Sequence, residues 1–136
     1  MKRVTTALAL GLSLGASLPA EARDAPLAGY RWKNRVLVVV APSRQDDKLV
    51  AQRRIFEQNA KGMAERQIVL IEAAGDDPRA RDIRRQLSIG DNSFKVVLVG
   101  KDGNAAVASA KPLTAEELFG RVDAMPMRRD EMRRNK

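Results

Sequence analysis

"RVLVVVAPSRQDD", residues 35 to 47, decides the fold. From Arg35 to Val40 the chain runs through apolar, mostly β-branched residues without alternation, the pattern of a central strand covered on both faces. Ser43-Arg44-Gln45-Asp46 then offers an N-cap with an acid three positions on, so a helix is expected to open near Ser43. Leu49, Phe56, Ala60 and Met63 continue it at near-helical spacing, and Gly62 lies near its end. "RQIVLIEA", residues 66 to 73, reads as a second buried strand, parallel to the first because a helix-length crossover separates them.

The rest of the chain alternates in the same way. Asp77-Pro78 is a cap followed by an N1 proline, and "PRARDIRRQL" turns Ile83 and Leu87 inward with its four arginines mostly outward. "FKVVLV", residues 94 to 99, is a third strand. "GKDGN", residues 100 to 104, is turn chemistry, and "AAVAS", residues 105 to 109, returns antiparallel. Thr114-Ala115-Glu116-Glu117 is a capping box, stapled by Leu113 and Leu118, and the helix it opens is expected to halt at Pro126. The order β-α-β-α-β-β-α with a mixed four-stranded sheet defines an α/β, thioredoxin-like, three-layer fold.

Outside this core the two termini have their own grammar. Lys2 and Arg3, the apolar stretch Val4 to Leu18 and the small-residue site Ala20-Glu21-Ala22 form a secretory signal peptide over residues 1–22. Export with cleavage near Ala22 is therefore expected, to a periplasmic or secreted location, leaving a domain over 23–127. The chain contains no cysteine, so packing alone must stabilise the exported domain, and a lipoprotein anchor is excluded. Its net charge is +8, and "RRDEMRRNK", residues 128–136, is expected to be a basic, frayed, solvated C-terminal tail. Such a tail offers weak contact with anionic lipid surfaces; nucleic acid is not an expected partner of an exported protein.

Two stretches carry a family resemblance: "LAGYRWKNRVLVVVAPS" at the start, and "VGKDG" followed by "EELFGRVDAMPMRRDEMR" at the end. They resemble the DUF4174 family, small exported bacterial domains of thioredoxin-like, peroxiredoxin-related type, whose relatives form repeated domains in some vertebrate extracellular-matrix and sushi-repeat proteins. The resemblance covers about residues 27 to 133 and implies a fold and a compartment rather than a reaction. In thioredoxins the first strand-to-helix junction carries a Cys-x-x-Cys pair, which here would fall near Arg44 to Asp47. A cis-proline loop faces that pair, and its counterpart here, "GDNSF", has no proline. Thiol-disulfide exchange and peroxidatic chemistry need a thiolate, so the chain alone performs neither.

Four sets of residues remain as candidates. Ser43 and Arg44 lie at a helix start, where N–H groups favour an anion or an acidic peptide, and Asn92 and Ser93 on the opposing loop could add hydrogen bonds. The alternative is that Ser43 is only a cap. Tyr30 and Trp32, interleaved with Arg31, Lys33 and Arg35, have the composition of a partner surface, or else Trp32 packs on the sheet edge and the charges are solvated. Met125, Met127, Arg128 and Arg129 pair flexible thioethers with guanidinium groups, which suits an adaptable protein-binding surface as well as a gap-filled helix stop. Asp46, Asp47, Asp76, Asp77, Asp91 and Asp102 fit caps and turns better than a calcium loop. With no histidine or cysteine, zinc, copper and iron sites are improbable, a serine hydrolase has no base, and "GKDG" lacks the spacing of a phosphate loop.

No cofactor is implied. The expectation is an exported, non-catalytic binding module whose partner is another envelope or extracellular protein. The alternative is a redox-related, peroxiredoxin-like protein that works with a cysteine-bearing partner or cofactor.

Overall fold

The computed structural model describes residues 25–136, so the expected signal peptide lies outside the described residues. A 3-10 turn, Ala28–Tyr30, leads into β1 (Arg35–Ala41), α1 (Asp47–Gln58), α2 (Ala60–Glu65) and β2 (Ile68–Ala74). Then follow α3 (Pro78–Gln86), β3 (Lys95–Val99), β4 (Ala105–Ser109), α4 (Ala115–Asp123) and α5 (Pro126–Arg134). The four strands form one mixed sheet in the order β2-β1-β3-β4. β1 runs parallel to β2, with Val38 opposite Ile71, and antiparallel to β3, with Val38 opposite Val97. β3 and β4 are antiparallel, with Leu98 opposite Val107. This order and these directions are consistent with the thioredoxin-like arrangement that the family resemblance implies.

All seven residues of β1 are buried, as its unbroken apolar run requires. Side chains of a strand alternate between faces, and β1 accordingly feeds two cores. Leu37, Val39 and Ala41 pack with Leu49, Met63, Leu98, Leu118 and Val122 beneath α1, α2 and α4. Val36, Val38 and Val40 pack with Leu27, Ala80, Ile83, Val97 and Val99 beneath α3. The sheet is thus the middle of three layers. Gln52, buried on α1, ties the first layer to the loop before α4: its amide donates to the Leu113 carbonyl at 3.0 Å and accepts from the Leu113 N–H at 2.7 Å.

Several local expectations change. The first helix opens at Asp47 rather than near Ser43, because the Asp46 carboxylate accepts from the N–H groups of Lys48 and Leu49. Ser43 instead accepts from the Gln45 N–H within the preceding turn. The crossover helix divides at Asn59, whose backbone leaves the helical region and whose side-chain amide donates to the Ile55 carbonyl. Gln67 takes a left-handed turn at φ 52°, so β2 begins at Ile68 rather than at residue 66. Three of the four α3 arginines face outward, in keeping with the expectation, and the fourth, Arg84, is buried and donates to the Gly75 carbonyl and the Asp76 carboxylate.

The largest correction is at the C-terminus. α4 does end ahead of Pro126, but that proline then occupies the first turn of a new helix, where its missing N–H costs nothing. The supposed frayed tail is therefore mostly α5, and Arg128 within it is buried.

Candidate functional site

The strand-to-helix junction does not assemble a site. Val40 lies opposite Lys95, so residues 43–44 and 92–93 emerge from the same end of the sheet, yet no hydrogen bond joins the two pairs. Arg44 is exposed and its cation is directed to Glu72 at 3.4 Å. Arg53 takes the same carboxylate at 2.6 and 2.8 Å. These hydrogen bonds, first from Arg53, hold the Glu72 carboxyl below its ordinary range despite partial burial. Ser93 is engaged by Asp91, which accepts from both its N–H and its hydroxyl and is lowered in pKa by those bonds. Ser43, Arg44 and Ser93, expected to await a ligand here, each already have a local partner.

The two ends of the described region, by contrast, meet. Tyr30 is half-buried against the α3 side of the core. Trp32 adopts a left-handed φ of 69° and does not pack on the sheet edge: 58% of it is exposed, with the Arg31 guanidinium 5.0 Å from its ring centroid. That backbone twist aims the Trp32 N–H at the Lys101 carbonyl, 2.6 Å away in the β3–β4 turn. From the other end, Glu131 of α5 accepts from Lys101 Nζ at 2.7 Å. Lys101 therefore receives Trp32 on its backbone and α5 on its side chain.

Beneath this meeting point lies Arg35, fully buried, in phase with Leu37 and Val39 on the α1 face of β1. Its guanidinium donates to the Arg66 carbonyl at 2.7 Å and to both Glu131 oxygens at 3.2 and 3.3 Å. Arg128 and Arg66 share Asp123, at 3.2 and 2.9 Å, and Arg128 also reaches the Glu65 carbonyl at 3.1 Å. Burial alone would raise the Asp123 and Glu131 carboxyls, but hydrogen bonds from Arg66 and Arg128, and from Lys101 and Arg35, outweigh it and hold both below the usual range. Arg128, a candidate for surface contact, is thus a packing element, while Arg129 and Met127 remain exposed.

A cavity of about 230 Å³ opens beside this cluster. Ala105, Ala106, Met125, Pro126 and Met127 supply apolar walls, and Arg35, Lys101, Asp102 and Asn104 the polar lining. Lys101, Asp123 and Glu131 were not among the sequence candidates, and Arg35, named there only as a charged neighbour of Trp32 and expected to be solvated in the alternative reading, is buried. The available signal was Arg35 itself, a charge in the buried row of a central strand. Among the described residues no group of three or more acidic side chains is placed to hold a metal, and no helix is long and apolar enough to cross a membrane.

Fold and site together define a three-layer α/β domain whose ends are joined by buried ion pairs, with a small cavity at that join. The chain belongs to the family described as a domain of unknown function, DUF4174, which matches residues 26–131. It is also similar to a zebrafish (Danio rerio) protein described as coiled-coil domain-containing protein 80. The two are 24% identical over 133 residues, covering 78% of this chain but only 15% of that protein's length. No solved structure matches the chain.

Proposed function

We propose that this chain is an exported, non-catalytic binding module whose partner is another envelope or extracellular protein, engaged where the chain ends converge. One observation carries this reading: the exposed Met127 lines a cavity with apolar walls and the cations Arg35 and Lys101, and the exposed Trp32 is bonded through its backbone to that same Lys101. Large exposed apolar side chains beside a concave surface are the usual anchors of recognition. The amino-terminal signal grammar supports export.

A photocrosslinker placed at Trp32 or Met127 in cells should capture one recurrent envelope or extracellular protein, and one placed at exposed Arg79 on α3 should not. Equal capture from both positions, or none, would refute the assignment of this face. Turnover of peroxide or reduction of insulin disulfides by metal-stripped protein would refute the non-catalytic reading. Recovery of the protein with residues 1–22 still attached and in the cytoplasm would refute export.

A further inference from the structure

Three features of the cavity select its occupant. The first is Arg35 Nε, a buried N–H with no acceptor among the described residues, on a side chain that lines the cavity and is 0% exposed. A buried donor left unpaired is costly, so an acceptor from outside the chain gains more here than at a surface. The second is charge. Arg35, Arg66, Lys101 and Arg128 are balanced only by Asp123 and Glu131 in the network, and counting Asp102 at the cavity still leaves one cation in excess. Asp102 is itself turned to the Asn104 backbone and side-chain N–H groups. The third is α5, a nine-residue helix whose N-cap, Met125, provides no side-chain acceptor and whose first residues line the cavity. Its free N–H groups and dipole add positive potential there.

These features call for an anion, while Ala105, Ala106, Met125, Pro126 and Met127 call for an apolar body. The size is restrictive: an apolar cavity of about 150 Å³ takes benzene, so this one takes roughly ten non-hydrogen atoms. We infer that the cavity binds a carboxylate carried on a small apolar body, the carboxylate accepting from Arg35 Nε–H and the body lying between Ala105 and Ala106 of β4 and the side chains of Met125 and Met127. This deepens the binding-module reading and rests on it. The carboxylate has two possible sources, a free small acid or the C-terminal residue of a polypeptide.

The test is an NMR titration of the purified protein, following the Arg35 Nε–H and the Ala105 and Ala106 amides. Hexanoate should shift all three, and 1-hexanol should bind about tenfold or more weakly, because it brings no charge to the donor. Met127→Glu, at an exposed position, should weaken hexanoate about tenfold more than Met127→Gln does, through like-charge repulsion, and both keep the parent urea midpoint. A leucine-terminated pentapeptide binding more tightly than hexanoate, with its C-terminal amide inactive, assigns the source to a polypeptide end. Equal or tighter binding of hexanoate assigns it to a free acid. Hexanol matching hexanoate, an unaffected Met127→Glu variant, or no shift with either acid overturns the inference. If crosslinks still map to Trp32 and Met127 in that case, the binding module stands and only its ligand chemistry falls.

Discussion

Arg35 and Gln52 are each a polar side chain placed where an apolar one would pack. Gln52 closes two hydrogen bonds on a single residue, Leu113, and so fixes the loop before α4 on α1. Gln52→Leu keeps the volume but leaves the Leu113 N–H and C=O buried without partners, and should cost about 2–4 kcal/mol in urea denaturation. A loss under about 0.5 kcal/mol, the range of an ordinary surface change, would mean the loop finds other partners. Arg35 was half legible: its phase with Leu37 and Val39 marks it as buried, but its counter-ion is Glu131, almost the whole chain away. Periodicity reports burial within one element and carries no information on which distant residue answers a buried charge. The same limit hid Gln52, whose partner is a backbone amide rather than a complementary side chain.

Among the elements, α5 is attached by ion pairs as much as by apolar packing. Arg128 is buried on Asp123, and Glu131 is held between Arg35 and Lys101. Both carboxyls titrate lower in the folded chain than in the unfolded one, so they stabilise the fold above the unfolded values, about 3.9 and 4.3, and that contribution disappears as pH falls through the folded values. The urea midpoint should stay level between pH 7 and about 5 and drop below about pH 4, with α5 amides losing hydrogen-exchange protection first. Uniform loss across all helices would place the acid sensitivity elsewhere. Removing residues 128–136 is consequently not a neutral surface edit, since it strands Arg35 and Lys101 without Glu131. The sequence concealed this helix because "RRDEMRR" is polar around its whole circumference; Pro126 looks alike whether it stops one helix or starts the next. Capping chemistry read well at Thr114 and Asp77 and less well at Ser43, where three potential caps, Ser43, Asp46 and Asp47, stand within five residues.

For the whole molecule, β1 is the axis: it pairs on both sides and feeds both cores, while β2 and β4 each keep one unpaired edge. Native-state hydrogen exchange should rank β1 and β3 amides as the slowest, approaching the global unfolding free energy, ahead of those on the outer edges of β2 and β4. An equally slow outer edge would show that another chain or segment covers it. Strand count, direction and layer order were legible because an apolar run, a crossover and a short hairpin leave few ways to join four strands. The site was legible only in its pieces. Trp32 and Met127 were singled out separately, and nothing in their spacing announces that the first bonds to Lys101 and the second shares a cavity with it.

That shared attachment to Lys101 has an architectural consequence. Trp32, near the start of the described residues, and Glu131, near their end, are held to the same turn residue. A unit built this way can be spliced into a host chain at a single surface loop, or strung in series, with little distortion of what precedes or follows it. The ion pairs that close the domain all fall between Arg35 and Glu131, so sequence added outside that span does not replace any of their partners.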